Sequence, residues 1–282
     1  MKKMMEFMEK NKKKMILLCL FLLMILLFIW YQNNHLVITT YDYKSNKISS
    51  DANKFSIVQI SDLHNACFGR NNKKLIDGIE GLAPDIVAIT GDIVDSNHTN
   101  ISTEINFVDE VAKKYPVYYV TGNHEYWLNE TERKELFTGI EDAGAVILDN
   151  ESISLNTDMG VMTLIGLDDN NLHDGTLRSM IEECKENELT VVLAHEPQYI
   201  DQYGNAGADL VLTGHAHGGQ MILPFIGPLI APDQGFLPKY TAGQFEKNNT
   251  TMYISRGLGN SVIPVRLFNY PEIVCVEIQG TE

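Results

Sequence analysis

The chain has 282 residues and a formal net charge of −15, a length that suits one large α/β domain or two small ones. The charge is uneven: residues 1–14 carry six lysines and two glutamates, whereas the remainder carries 16 basic against 35 acidic residues. An acidic body argues against nucleic acid as a partner, because that binding depends on Lys and Arg. A small phosphate ester is still compatible, since bound divalent cations would reverse the local charge.

The four cysteines have no paired spacing, so we expect neither a disulfide framework nor a cysteine-based zinc site. An uncharged run at residues 15–31 follows the basic N-terminus (1–14) and ends in Trp30 and Tyr31. Its length is at the lower limit for a helix that crosses a bilayer. A cleaved signal peptide is the alternative, but the run is longer than usual and no small-residue cleavage site follows it. We therefore predict an uncleaved single-pass anchor.

The predicted division of the chain is a basic N-terminus at 1–14, a transmembrane anchor at 15–31, a linker with a first short strand at 32–54, and one domain at 55–282. By the positive-inside rule the lysines stay in the cytoplasm. The predicted location is therefore the cell membrane, with the domain outside the cytoplasm.

From residue 55, apolar strand-like runs at 55–60, 85–90 and 117–120 alternate with helical patterns at 73–82, 102–115 and 131–143. This alternation predicts a largely parallel sheet, in which ligands bind at the carboxyl ends of the strands. Later strands are predicted at 146–148, 151–155, 161–167, 190–193, 209–213, 251–255 and 272–278, with a helix at 176–188. We interpret the runs at 146–148, 151–155 and 161–167 as antiparallel strands, the beginning of a second sheet of the same domain.

Metal-ligand side chains follow these strands in short polar or glycine-containing turns. His215 and His217 lie one residue apart after residues 210–212, a pair that alone is equally typical of exposed turn histidines. Other turns of the same kind precede it, and together they predict a metal site. The predicted ligands are Asp62, His64, Asp92, Asn123, His195, His215 and His217.

Two divalent cations would suit hydrolysis of a phosphate ester, because they activate water at neutral pH and stabilise the charge of the transition state. Such a pair needs a bridging carboxylate, and Asp92 is alone on its loop and central in the chain. Asp62, His64 and His217 would then hold one ion, and Asn123, His195 and His215 the other. These ligand types suit Mn, Fe or Zn.

The motifs Asp-x-His, Gly-Asp, Gly-Asn-His-Glu, a later His and Gly-His-x-His occur in the order that is typical of calcineurin-like metallophosphoesterases, and the resemblance covers roughly residues 55–278. It implies an α/β fold, a four-layer α-β-β-α sandwich of two mixed sheets, here behind an N-terminal transmembrane helix. It also implies the same two ligand sets, with Asp92 as the catalytic bridge. His124 would contact the phosphate or protonate the leaving group, although a histidine beside a metal also serves to orient ligands.

The turn at 214–220, the apolar loop after it and residues 255–259 are most similar to a bacterial membrane-associated branch, related to the pyrophosphatase that acts on uridine-diphosphate diacylglucosamine. Arg256 is a candidate for binding substrate phosphate, with a structural ion pair as the alternative. We expect Glu125 to hydrogen-bond a ligand or to start a helix. Asp168 and Asp169 would either support ligands or lie in a solvated turn. His35, His98 and His173 lie outside the motifs and are interpreted as surface residues.

These features predict a membrane-anchored phosphoesterase in which a metal-bound hydroxide attacks a phosphodiester or pyrophosphate, possible substrates including lipid-linked ones. The apolar loop at 221–232 would contact acyl chains, enter the bilayer interface or pack as a cap. A phosphodiesterase for soluble or cyclic nucleotides is the alternative within enzymes. A non-catalytic interaction module is the alternative outside them, although such a module would be expected to lose ligands.

Overall fold

The computed structural model describes residues 2–169, 175–261 and 263–281, so His173 lies outside the described residues. It begins with a long helix, α1 (Lys2–Asn34), in which Asn11–Asn34 is long and apolar enough to cross a membrane. Only 6% of the most apolar window of this helix is buried within the protein. The helix extends beyond the predicted end at residue 31.

The other helices are α2 (Lys73–Leu82), α3 (Ile101–Ala112), α4 (Asn123–Trp127), α5 (Glu130–Asp142), α6 (Thr176–Glu182) and α7 (Ile200–Ala206). The strands are β1 (Val37–Ser45), β2 (Phe55–Ile60), β3 (Ile86–Thr90), β4 (Val117–Val120), β5 (Val146–Ile147), β6 (Glu151–Thr157), β7 (Gly160–Gly166), β8 (Leu189–Leu193), β9 (Leu210–Thr213), β10 (Ile222–Leu223), β11 (Gly227–Pro228), β12 (Ile230–Ala231), β13 (Gly235–Phe236), β14 (Gly243–Lys247), β15 (Thr250–Ile254) and β16 (Glu272–Gly280).

Within the described ranges, the strands form two six-stranded sheets and two small hairpins, β10–β11 and β12–β13. The first sheet has the order β1-β16-β2-β3-β4-β5, and the second has the order β14-β15-β9-β8-β7-β6. Both sheets are mixed, since β16 runs antiparallel to β2, and β6 and β14 run antiparallel to the strands beside them. The central strands of both sheets are parallel, as expected for strands joined by helices.

Apolar side chains fill the spaces between four layers. Helices α2, α3 and α5 pack on the outer face of the first sheet through residues such as Leu75, Phe107 and Leu136. The inner faces of the two sheets share a second buried cluster, and α6 and α7 cover the outer face of the second sheet through Leu177 and Tyr203. The predicted four-layer sandwich of two mixed sheets is confirmed.

The prediction for residues 146–148 was wrong. Strand β5 pairs in parallel with β4, with Tyr118 opposite Val146, and is the edge of the first sheet. It follows α5 as the end of a strand–helix–strand unit, but two residues are too few to show a strand periodicity. The second sheet begins instead at Glu151, and its first two strands, β6 and β7, are antiparallel as predicted.

Strand β1 pairs with β16 in parallel over nine residues, from Val37 opposite Glu272 to Ser45 opposite Gly280. Residues 37–45 are therefore a full edge strand of the first sheet. The predicted helix at 176–188 ends earlier, at Glu182. The polar turns that carry the predicted ligands follow β2, β3, β4, β8 and β9, so they meet at one edge of the sandwich.

Candidate metal centre

The structure brings the seven predicted ligands together at the carboxyl ends of the two sheets. Six of them are at most 6% exposed, and Asn123 is partly exposed. Two groups of side chains converge there, one around His64 and the other around His195.

The first group combines side chains from both sheets. The Nε2 atoms of His64 and His217 lie 3.1 Å apart. Nε2 of His217 is 3.5 Å from Oδ1 of Asp62. Nε2 of His64 is 3.5 Å from Oδ2 of Asp92. Four ligand atoms therefore surround one point.

The second group shares the same oxygen of Asp92. Nε2 of His195 lies 3.1 Å from Nδ1 of His215 and 3.2 Å from Oδ1 of Asn123. It is also 3.3 Å from Oδ2 of Asp92. The other oxygen, Oδ1, accepts a hydrogen bond of 2.8 Å from the backbone N–H of His124, which turns Oδ2 toward both groups of histidines.

These spacings fit divalent metal ions. Nitrogen and oxygen ligands lie about 2.0–2.2 Å from a zinc-like ion, so two ligands of the same ion are about 3.0–3.5 Å apart. Burial lowers the pKa of His64 to about 3 and that of His215 to about 4, so both rings are neutral at pH 7. Burial also lowers the pKa of His195, but nearby carboxylates, chiefly Asp92, outweigh it and raise the pKa well above its usual value. The site therefore attracts positive charge.

Hydrogen bonds fix the orientation of two of the histidine rings. Nδ1 of His195 lies 2.8 Å from the carbonyl oxygen of Thr90, to which it donates its proton. Once a metal ion displaces the proton on Nε2, this nitrogen would present its lone pair to the ion. Nε2 of His215 lies 2.9 Å from Oδ2 of Asp233, so Nδ1 of His215 faces the centre. Such partners fix the tautomer of a metal-binding histidine.

The backbone at the centre is strained. Five predicted ligands have a positive φ between 45° and 63° without being glycine: Asp62, His64, Asp92, His215 and His217. Such conformations cost on the order of 1–3 kcal/mol each and persist where the surrounding fold enforces them. Gly122 lets two loops approach closely, because a Cβ there would lie 2.4 Å from Oδ1 of Asp92. These five residues therefore adopt backbone conformations that suit the geometry of a ligand site rather than the conformations that they prefer locally.

Residues 55–219 match the sequence profile of the Metallophos family, described as calcineurin-like phosphoesterase. The chain belongs to this family. This metallophosphoesterase is 30% identical over 259 residues to the uncharacterized metallophosphoesterase YkuE of Bacillus subtilis (strain 168), with 89% of the chain and 88% of that protein covered. It is 29% identical over 248 residues to the uncharacterized metallophosphoesterase YkoQ of the same strain, with 85% and 92% covered.

A transmembrane protein with metallophosphoesterase domain from Bos taurus is 28% identical over 262 residues, which cover 86% of the chain and 57% of that longer protein. Among solved structures, NAD nucleotidase of Haemophilus influenzae has a TM-score of 0.52 and 16% identity, and the match covers 73% of the chain and 46% of that protein. This last likeness shows the fold alone. Family and relatives together make the chain a metal-dependent phosphoesterase, a hydrolase.

Glu125 of the metallophosphoesterase holds the loop of Asp92 in place. Its Oε2 accepts hydrogen bonds from the backbone N–H groups of Asp92 (3.0 Å) and Gly122 (2.7 Å), and Oε1 accepts one from Ile93 (2.9 Å). Burial raises the pKa of this carboxyl to about 7. Glu125 thus bonds the backbone of a predicted ligand, one of the two interpretations of the sequence.

His124 lies in the first turn of α4, 2% exposed, beside both groups of ligands. Its Nδ1 accepts a hydrogen bond of 3.2 Å from the backbone N–H of Ser96, and its Nε2 lies 3.1 Å from Oγ of Ser261. A neutral ring in this setting carries its proton on Nε2.

The remaining predicted residues have structural partners. Arg256 pairs with Glu272, Nη2 to Oε1 at 2.7 Å, which is the ion pair that the sequence left open as an alternative. Asp168 is buried and accepts a hydrogen bond of 3.0 Å from Thr121, so it does not lie in a solvated turn. Burial raises the pKa of the neighbouring Asp169 to about 7, with smaller effects from the nearby His195 and acidic groups. His35 and His98 are exposed, as interpreted.

Sequence reasoning missed Arg266, which is fully buried behind His217. Its guanidinium donates to the carbonyl oxygens of Gly259 and Arg256 (2.8 Å for the latter), and its Nη2 lies 3.4 Å from Nδ1 of His217. Burial lowers the pKa of Arg266 to about 10, and both burial and the adjacent charge keep the pKa of His217 low. A lone arginine after an apolar loop gives no sequence signal for this position.

Sequence reasoning also missed that the end of α1 contacts the segment behind the centre. Oδ1 of Asn33 accepts hydrogen bonds from the backbone N–H of Arg266 (2.9 Å) and from Nδ2 of Asn260 (3.0 Å). Gln32 is 1% exposed and accepts a hydrogen bond of 2.8 Å from the backbone N–H of Phe268. The last turn of the apolar helix and the metal centre are thus separated by one layer of side chains.

Proposed function

We propose that this metallophosphoesterase is anchored in the cell membrane and uses two divalent metal ions to hydrolyse a phosphodiester or pyrophosphate bond of a lipid-linked substrate. The observation that carries the dinuclear site is the position of Asp92, whose Oδ2 lies 3.5 Å from Nε2 of His64 and 3.3 Å from Nε2 of His195. One ion would be held by Asp62, His64, Asp92 and His217, the other by Asp92, Asn123, His195 and His215. Mn, Fe or Zn would suit these nitrogen and oxygen donors.

The bound ions would supply Lewis acidity and a water of lowered pKa. Side chains of the protein would position the substrate and donate hydrogen bonds to it. Asp92 holds the two halves of the site together. Asn123 is partly exposed, and its side-chain amide can donate a hydrogen bond to a phosphoryl oxygen. His124 holds a proton on Nε2 and can donate a hydrogen bond from it to the oxygen of the leaving group, where negative charge develops.

An apolar cavity beside the centre supports a lipid-linked substrate. It has a volume of about 270 Å³ and is lined by His217, Gln220, Ile230, Ala231, Pro232, Ser261 and Ile263. A phosphate ester bound at the metal centre could place a hydrocarbon chain there, because the apolar wall begins at a predicted ligand, His217. Contact of the cavity-lining segment with the end of α1 would bring such a chain close to the bilayer.

The lysine-rich N-terminus supports an orientation with residues 1–14 in the cytoplasm and the catalytic domain outside it. Protease added to intact spheroplasts should then degrade the domain. Protection of the domain until the membrane is lysed would exclude this orientation.

The metal mechanism is tested with the full-length protein in detergent micelles, assayed against a soluble phosphodiester and a phosphomonoester with Mn²⁺ or with chelator. We expect Mn²⁺-dependent cleavage, faster for the diester, and a loss of at least about tenfold in Asn123→Ala. His98→Ala, which changes an exposed histidine outside the centre, should retain full activity. Equal activity of Asn123→Ala and the parent would exclude the assigned ligand set.

The lipid-linked substrate is tested by replacing Ile230, which lines the cavity, with serine. Ile230→Ser should lower kcat/KM for a lipid pyrophosphate much more than for the soluble diester, whereas Val161→Ser, an exposed position at the start of β7, should change neither. Equal losses on both substrates would refute the acyl-chain role. Rapid cleavage of soluble or cyclic nucleotides without an effect of Ile230→Ser would favour the nucleotide phosphodiesterase.

A further inference from the structure

The most exposed apolar side chains of the body lie in two segments that contact the metal centre, one through Asp233 beside His215 and the other through Trp127 beside His124. Among described residues after α1, five large apolar side chains are at least 60% exposed: Phe225, Phe236, Leu237, Trp127 and Ile226. Four belong to the hairpins β10–β11 and β12–β13 or directly adjoin them, and we call residues 221–238 the hairpin segment. The fifth, Trp127, packs against His124 with 4.6 Å between ring centroids. Exposed apolar surface gathered at one site is typical of an interaction surface.

The hairpin segment is built to present these side chains. Phe225 and Leu237 have φ values of 67° and 54°, a left-handed conformation that bulky residues rarely adopt. The segment contains a single ionisable side chain, Asp233. A fully exposed phenylalanine on a strained turn gains no burial energy in water, so an apolar environment would favour this arrangement.

The base of the hairpin segment lies next to the candidate membrane helix. The backbone N–H of Ile222 donates to the carbonyl oxygen of Leu267 at 2.9 Å. The next residue, Phe268, packs edge-on against Phe28 of α1 with 5.8 Å between ring centroids. Phe28 belongs to the uncharged run, so the hairpins start level with the last turns of that run. An extended arm of three residues reaches about 10 Å from this base.

We propose that the hairpin segment inserts its apolar tips into the interfacial layer of the bilayer that α1 crosses, so that the metal centre opens at the membrane surface. This inference rests on the proposed membrane anchoring. The domain is strongly acidic and gains no attraction from anionic headgroups, so apolar insertion is the contact open to it. The hairpin segment and α1 would then attach the domain to the bilayer at two places, which would fix the orientation of the domain.

The test uses the full-length protein in phosphatidylcholine nanodiscs that hold one copy each. Cys19, Cys67 and Cys184 are replaced by serine, and an environment-sensitive fluorophore is attached in turn to Phe225→Cys and Phe236→Cys. Asp158→Cys, in the turn between β6 and β7 at the opposite edge of the sandwich, is the aqueous control. Leu22→Cys in α1 is the lipid control. Spin-labelled lipid serves as the quencher, and metal-dependent cleavage of a soluble diester shows that each variant is folded.

We expect the probes at 225 and 236 to be blue-shifted and quenched by spin-labelled lipid several-fold more than the probe at 158. Probes at 225 and 236 that behave like 158, while the probe at 22 is quenched, would overturn docking and leave the anchor intact. An unquenched probe at 22 would mean that the proposed anchoring itself fails. Shielding of the tips that needs an added lipid pyrophosphate would assign them to substrate binding and also overturn the proposal. Shielding that occurs only when several copies share a vesicle would assign them to a contact with a second copy, with the same consequence.

Discussion

His124 is held in the tautomer that leaves its proton on Nε2, because the backbone N–H of Ser96 donates to Nδ1. If this N–H donates a hydrogen bond to the leaving oxygen, a substrate that leaves as a basic alkoxide depends on it more than one that leaves as nitrophenolate. We expect His124→Ala to lower kcat/KM about 10²–10³-fold for an alkyl diester and about tenfold or less for a nitrophenyl diester. Rates across a series of leaving groups measure this difference.

The control for this series is His98→Ala, which should follow the parent for every leaving group. A uniform loss in His124→Ala would assign His124 to orientation of the substrate or of Asp92, whose Oδ1 accepts the backbone N–H of the same residue.

Glu104 on α3 is fully buried, and its only hydrogen bond among described residues is the one that Oε1 accepts from Asn65 at 3.1 Å. Burial raises its pKa from 4.5 to about 8. Between these pH values the folded state binds one more proton than the unfolded state, so this group makes stability fall as pH rises. Glu104→Gln is neutral throughout and lacks this contribution.

We therefore expect the free energy of unfolding of Glu104→Gln, relative to the parent, to rise by on the order of a few kcal/mol from pH 5 to pH 8. Urea unfolding at both pH values measures it. Glu110→Gln, an exposed change on the same helix, should show no such trend. A difference between Glu104→Gln and the parent that does not depend on pH would show that Glu104 ionises normally in the folded protein.

The sequence predicts the seven ligands because each follows an apolar strand in a short polar turn. It does not predict what holds them. Arg266 meets His217 across 49 positions, and Asp233 meets His215 across 18, with no spacing that repeats. Such contacts depend on how loops from two sheets pack together, which local pattern does not encode.

The same contrast holds for secondary structure elements. Periodic stretches such as α2 and β2 have the predicted bounds, whereas the two-residue strands β5, β10, β11, β12 and β13 are too short to show a period. Hydropathy ends the apolar run at residue 31, but α1 continues to Asn34. Its last turn is stabilised by partners more than 200 residues away, Phe268 among them.

We expect this last turn of α1 to support the metal centre. Asn33→Ala removes the acceptor of the Arg266 backbone N–H and of Asn260, which should lower the free energy of unfolding by about 1–3 kcal/mol. Asn34→Ala is the matched control, because Asn34 is exposed and its side-chain amide donates to the carbonyl oxygen of Trp30 in the same helix. Thermal unfolding of the two full-length variants in nanodiscs measures the difference. Equal stability would show that the domain does not depend on the end of the helix.

In the whole molecule, the metal centre joins loops of the two sheets at one edge of the sandwich, in addition to the apolar cluster that the inner faces of the sheets share. Asp62 from the first sheet accepts hydrogen bonds of 2.9 and 3.1 Å from the backbone N–H of His215 in the second sheet. Burial and the neighbouring Asp92 raise the pKa of Asp62 to about 6, with opposing effects from His195, Ser61 and Arg266. The metal centre therefore combines buried carboxylates with strained ligand turns. A bound cation would offset the unfavourable burial of these carboxylates.

Bound metal should for this reason stabilise the entire domain. Metal at about 100 times its Kd adds about 2.7 kcal/mol, and a change of that size moves the Tm of a domain of this length by about 5–10 °C. We expect chelator to lower Tm by that amount. In Asp92→Asn, which lacks the shared carboxylate, Tm should hardly respond to chelator. Without metal this variant should be less stable than the parent at pH 7. Burial raises the pKa of Asp92, but the neighbouring histidines, chiefly His195 at 3.3 Å, outweigh burial and hold this pKa well below its usual value, so the carboxylate stabilises the folded state. An unchanged Tm of the parent after complete metal removal, verified by elemental analysis, would show that the strained turns are held by the protein alone.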